Sequence, residues 1–304
     1  MGRVVVVVGA LLGVVAGGPV LLRVLDIYDR EKPAGVVVSV GGQQPQNIAL
    51  ALHKAGVKIL GTSPLSIDAA EDRSQFSALL DRTHVKQPEW NQLTMQLRRG
   101  QGLCAQGGIP VPGASLVRAL GRGDEDRQRR PADGGVPRGG RRRVARLPGG
   151  DLQVCHGRAR EVECDAVANR GTLVNWAISE HIEDAGVHSG DATSVLPAIS
   201  IPDNVQAQIK NISEKITPEL QVSGPVNIQY LVKGDEVLVI ECNLRASRSF
   251  PFVSEVLGID FLRTATRIFM GEDGPLDPRC HGKVPHYGVK APMFSFQRLL
   301  GADP

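Results

Sequence analysis

The segment "VLVIECNLRASRS", residues 237–249, runs as an apolar strand and then delivers Glu241, Asn243, Arg245 and Arg248 in quick succession. Just before it, "GPVNIQYLVKGDEVLVIECN" (224–243) reads as two strands joined at Lys233-Gly234-Asp235. A loop of about three residues sets Gln229 across from Glu241, to within one position. Glu241 and Asn243 are two apart and share a strand face. An amide, a carboxylate and a second amide therefore meet at one end of a hairpin whose other face is apolar. Hard cations such as Mg²⁺ take oxygen ligands, usually one or two carboxylates with phosphate oxygens completing the shell. Arg245 and Arg248 follow where they can offset phosphate charge and hold a small oxyanion through paired N–H donors. A surface ion cluster at a strand end is the plainer reading of any one of these residues. Four of them on one short segment, faced by a Gln, favour a metal–phosphate site.

The elements that must position this cluster are legible upstream. "AGVVVSV" (34–40) is a β-branched run ending in a Gly-rich turn, and "QNIALALHKAG" (46–56) is a helix with Gly56 at its C-terminal end. "VKILGTS" (57–63) is a second strand, and "PLSIDAAEDRSQFSALLDR" (64–82) a second helix with Ser63 as N-cap and Pro64 in the first turn. This is a βαβα unit with parallel strands, placing the chain in the α/β class. "SVGGQQPQN" is neither GxGxxG nor a P-loop, so Gly41 and Gly42 read as turn glycines first and a phosphate cradle second. Residues 160–193 alternate in strand fashion around Asn169-Arg170-Gly171, as a hairpin does. They lead into the polar loop "EDAGVHSGD" (183–191), which is either an anion-facing loop of backbone N–H groups and an imidazole or a solvated connection. "DNVQAQIKNISEKI" (203–216) sets Val205, Ile209, Ile212 and Ile216 on one helical face, which is core.

At 304 residues and 42% hydrophobic content the chain can build one large or two ordinary domains. Its formal charge of +3 is unevenly spread, since residues 97–158 hold 13 Arg against five acidic residues. Cys104, Cys155, Cys164, Cys242 and Cys280 form no CxxC pair, so neither a zinc site nor a disulfide framework is indicated, and a reducing compartment fits. Residues 4–22 are an uncharged apolar run between Arg3 and Arg23, long enough for a membrane span or signal core. Its density of Gly, its Pro19 and its direct entry into an α/β pattern favour a buried strand or a mis-assigned start, and a membrane role is not expected.

Taken together, these stretches resemble the large subunit of carbamoyl phosphate synthetase, and within it the second, carbamate-phosphorylating half. The likeness runs nearly continuously through residues 23–92 and 160–304; "ECNLRASRSFPFVS" and "EDAGVHSGD" are its most specific parts. It implies an α+β ATP-grasp fold at 67–275, preceded at 23–66 by the end of a Rossmann-like pre-ATP-grasp domain and followed at 276–304 by the start of a connector. It also implies ATP and Mg²⁺ or Mn²⁺ as cofactors, with metal ligands at Gln229, Glu241 and Asn243 and anion-binding, catalytic arginines at Arg245 and Arg248. Glu161 takes the place of the ribose-binding carboxylate, and Gly186, Val187, His188 and Ser189 match the loop along the nucleotide. The implied reaction is in-line attack of a carbamate oxygen on the γ-phosphate of ATP, within a larger synthetase that includes other domains and, in some members, a glutaminase. The product would enter pyrimidine, arginine or urea synthesis, in the cytoplasm or alternatively in mitochondria.

Residues 97–158 depart from the family. Where it has a strand with Arg-Pro-Ser, a loop over the triphosphate and an adenine-side strand, this chain has an Arg-, Gly-, Ala- and Pro-rich tract without Lys, Phe, Tyr, Trp or Met. Those are residues of GC-rich codons, and the flanking blocks keep about the family's spacing, as expected of a stretch read out of frame. The tract is expected to be irregular and exposed, and the enzyme impaired. The alternative is a nucleotide-binding scaffold with an inserted Arg/Gly nucleic-acid-binding segment and no catalysis. Such segments interleave aromatics for base stacking and this one has none, so no nucleic-acid partner is expected.

Overall fold

The β-branched run at 34–40 forms a short buried strand in the computed structural model, which describes residues 4–6, 18–88, 159–187, 189–272 and 284–292. The Arg/Gly tract and His188 lie outside the described residues. Strand β1 (Val4–Val6), β2 (Gly35–Val37) and β3 (Ile59–Leu60) pair in parallel in that order. The apolar N-terminal run thus contributes a sheet strand, and its last residues open helix α1 (Gly18–Glu31). Val24 of α1 is buried against the core while Leu22 and Ile27 are exposed. Among the described residues no helix is long and apolar enough to cross a membrane.

Two stretches that read as single helices are each broken. The helix expected at 46–56 is instead α2, which starts earlier (Gln43–Asn47), and α3 (Ala49–Lys54), because the Ile48 N–H turns back to the Gln46 carbonyl instead of reaching one turn further. Residues 64–82 form α4 (Pro64–Glu71) and α5 (Arg73–Arg82), parted at Asp72. Asp72 is extended (φ −75°, ψ 114°) and its carboxylate caps α5 by accepting from the Gln75 N–H at 2.8 Å. Ser63 caps α4 as its sequence position predicts, accepting from the Leu65 N–H.

The second sheet carries the site. Its strands are β4 (Arg160–Asn169), β5 (Thr172–His181), β6 (Ser194–Leu196), β7 (Gly224–Lys233), β8 (Glu236–Asn243) and β9 (Gly288–Lys290). They lie in the order β8-β7-β4-β5-β6-β9, every neighbour antiparallel. Residues of period two therefore sort onto two faces. One face, with Val162, Cys164, Ile228 and Tyr230, packs on helix α6 (Asp203–Glu219) through Val205, Ile209 and Ile216. Each of these side chains is at most 1% exposed, and burial on this scale contributes roughly 1.5–3 kcal/mol per large residue. The other face is divided. Val167 and Ala177 lie under α7 (Phe250–Leu257) and α8 (Phe261–Phe269), where Phe250 and Phe261 meet edge to face at 5.9 Å. The remainder of that face is polar.

Candidate functional site

The β7–β8 hairpin turns on two residues, Gly234 and Asp235, not the expected three, so Lys233 pairs with Glu236. Left alone, this register would move Glu241 off Gln229. A β-bulge between Gln229 and Tyr230 takes up the difference: Tyr230 pairs with Val239, yet Gln229 pairs with Glu241. The extra residue is Ile240, and its carbonyl accepts from the Arg73 guanidinium at 2.8 Å. A helix of the N-terminal segment thereby pins the irregularity that aims Glu241. Burial lowers the Arg73 pKa, and the charge of Glu241 acts the other way.

From that bulge the site side chains run as a chain of contacts. Asn243 donates to the Glu241 carboxylate at 2.9 Å, and Arg245 donates to the Asn243 side-chain amide oxygen at 3.2 Å. Gln229 donates to the Ser189 hydroxyl at 3.3 Å, tying the polar loop to the floor of the sheet. The Gly186 N–H points at Glu161 (3.4 Å). Burial raises the Glu161 pKa; the nearby His181 and the Gly186 hydrogen bond pull it down. Val187 is half-buried in the same loop, and Arg248 is exposed at the sheet's rim. Gln229, Glu241 and Asn243 thus share a face and offer one carboxylate and two amide oxygens, a donor set that fits Mg²⁺ when phosphate oxygens complete its shell.

Several residues of this face went unassigned in the sequence. Register places Glu163 beside Gln229, and Asp165 beside Asn227, which itself pairs with Asn243. The Asp165 carboxylate accepts from Asn227 at 2.8 Å and from the Ser247 hydroxyl at 2.7 Å. His181 approaches Glu163 at 3.3 Å with both side chains buried. Asp165 is raised to about 7, first by burial and then by the charge of Glu163, against hydrogen bonds from Ser247 and Asn227 and the charge of Lys290. The signal was present: "EVECD" sets Glu161, Glu163 and Asp165 at period two.

The antiparallel sheet, backed by α6 on one face and carrying carboxylates and amides on the other, has the ATP-grasp fold of known enzymes. The "Biotin Carboxylase domain of single-chain bacterial carboxylase" superposes with TM-score 0.61 at 18% identity, covering 92% of this chain and 62% of that one. A multifunctional pyruvate carboxylase from Rhizobium etli gives 0.55 at 16% identity, covering 86% of this chain and 22% of that one. The chain belongs to the carbamoyl phosphate synthase large-chain family. Residues 156–276 match the model of the "Carbamoyl-phosphate synthase L chain, ATP binding domain", and residues 19–69 match that of the "Carbamoyl phosphate synthase preATP-grasp domain". It is 45% identical over 295 residues to "Carbamoyl-phosphate synthase [ammonia], mitochondrial" of Homo sapiens, which covers 93% of this chain and 19% of that protein. It is 43% identical over 293 residues to "Multifunctional protein pyrABCN" of Emericella nidulans, covering 93% of this chain and 12% of that one. The chain thus spans less than a fifth of the length of either relative.

Proposed function

We propose that this chain is the ATP-grasp domain of the carbamate-phosphorylating half of a carbamoyl phosphate synthase, an ATP-dependent carbon–nitrogen ligase. The observation that carries the reading is the contact chain Glu241–Asn243–Arg245, set by the bulge opposite Gln229 and bordered by Glu161 and Ser189. Gln229, Glu241 and Asn243 would hold Mg²⁺ or Mn²⁺, which would supply positive charge against that of the phosphates. Glu161 would receive the ribose hydroxyls, and Gly186, Val187, His188 and Ser189 would lie along the nucleotide. Arg245 and Arg248 would grip the transferring phosphoryl group and the carbamate. A carbamate oxygen attacks the γ-phosphorus in line as the bond to the β–γ bridging oxygen breaks, leaving carbamoyl phosphate and ADP. No covalent intermediate on the protein is required. Other domains of the parent synthetase would supply carbamate from bicarbonate and ammonia or glutamine, and its compartment, cytoplasmic or mitochondrial, would be that of this chain.

Activity as written is another matter. The two family models leave residues 70–155 between them, which supports the reading that residues 97–158 are out of frame. The family's loop over the triphosphate and its adenine-side strand would come from that stretch. Transcript sequencing across the codons for residues 95–160 should show a one-base insertion and a compensating deletion. The chain with its frame restored should then make ATP from ADP and carbamoyl phosphate; failure to do so would overturn the proposed reaction.

A further inference from the structure

The loop that bears the two arginines is fastened from below. Leu244 is buried, Arg245 leans on Asn243, and the Ala246 N–H donates to the Ser39 carbonyl at 2.9 Å. Ser247 lies between Arg245 and Arg248, and its hydroxyl donates to Asp165 at 2.7 Å while accepting from the Ser249 N–H at 3.0 Å. The same Asp165 oxygen receives the Asn227 amide at 2.8 Å, and Asn227 is the register partner of Asn243. Asp165 is 1% exposed, in the middle of β4, the strand that flanks β7 on the side away from β8. A single buried carboxylate oxygen therefore joins the arginine loop to the strand beneath it. Lys290 on β9 secures the far side of the loop through the Ser249 hydroxyl at 3.0 Å.

We infer that Asp165 is a positioning residue: through Ser247 and Asn227 it fixes the 244–249 loop so that Arg245 and Arg248 converge on one oxyanion. The inference rests on the proposed anion-binding role of those arginines. What the loop needs from Asp165 is an acceptor oxygen at one place, not a negative charge. Asparagine supplies that oxygen and presents its amide to Glu163; alanine supplies nothing. A role confined to general stability would make loss of fold, not the presence of an acceptor, govern anion binding.

The test uses the 304-residue chain, with inorganic phosphate as the probe and ³¹P NMR titration as the readout. Circular dichroism verifies the fold of each variant. Arg248→Ala should abolish phosphate binding. Asp165→Ala and Ser247→Ala should each weaken it about tenfold, the loss expected when a hydrogen bond to a charged group is removed, whereas Asp165→Asn should stay within about twofold of the parent. If Asp165→Ala does not fold, Ser247→Ala, which removes only the hydroxyl, decides the matter. Phosphate affinity unchanged in Ser247→Ala, or lost equally in Asp165→Asn and Asp165→Ala, would overturn the positioning role while leaving the arginine site intact. A parent chain that ignores phosphate, or an Arg248→Ala variant that binds it normally, would overturn the site reading itself.

Discussion

Replacing Asp165 with Asn should make the protein more stable at neutral pH, although the two hydrogen bonds it accepts then end on a neutral amide oxygen instead of a carboxylate. The reason is the site's proton balance. Asp165 is buried under the loop with Glu163 two residues along the same face; Lys290 and the Ser247 and Asn227 hydrogen bonds only partly offset the cost of its charge. Its proton is held to about pH 7 in the folded chain against an ordinary value of 3.8. Between those values the folded state binds a proton that the unfolded state has released. The stabilisation is thus fully present below the unfolded value and is lost as pH rises toward 7. At 1.36 kcal/mol per unit, the loss is on the order of 4 kcal/mol across the window. Asn has no proton to lose. Urea unfolding of both proteins at pH 4.5, 6.0 and 7.5 gives the difference directly and cancels carboxylates common to both. The stability of Asp165→Asn relative to the parent should rise steadily with pH, its advantage greatest at pH 7.5. A difference that is flat with pH, or that falls, would refute the picture of a costly buried carboxylate.

Two further substitutions probe the scaffold. Gly224→Ala at the start of β7 should cost about 2–4 kcal/mol, because φ is +131° there and a Cβ would sit 2.4 Å from the Phe269 ring; a thermal midpoint within a degree of the parent would show that ring free to move. Arg73→Met should cost about 1–3 kcal/mol by leaving the Ile240 carbonyl without its charged donor; equal urea midpoints would show that the bulge does not depend on that anchor.

The hairpin that carries Gln229, Glu241 and Asn243 was legible because period two and a Gly-Asp turn leave few registers open. Even so, the turn is one residue shorter than the pattern suggested, and the expected pairing survives through the bulge at Ile240. A bulge answers to tertiary demands, here the Arg73 guanidinium, and leaves no mark in the strand's own residues. The helix breaks at Ile48 and Asp72 escaped for a related reason: apolar periodicity continues across both, and only local backbone hydrogen bonds and a carboxylate cap interrupt it. Glu163 and Asp165 had a readable signal in their spacing. Acidic residues on a strand are ordinarily taken for its solvent side, and only the folded structure shows that Glu163 and Asp165 are buried. Ser247 had no signal at all, since its role follows from which strand lies beneath it.

Phosphoryl transfer relies on positioning and charge stabilisation, and well-aligned contacts can lower a barrier by roughly 7–11 kcal/mol. A chain that keeps Gln229, Glu241, Asn243 and the arginines but, on the proposed reading of residues 97–158, lacks the family's residues over the triphosphate should forfeit most of this. The decisive measurement is ATP formation from ADP, Mg²⁺ and carbamoyl phosphate by four proteins in one luminescence assay: the chain as written, the chain with residues 97–158 restored to frame, and the Glu241→Ala variant of each. The account predicts ATP from the restored chain alone. Turnover by the chain as written above its Glu241→Ala control, or none by the restored chain, would contradict it.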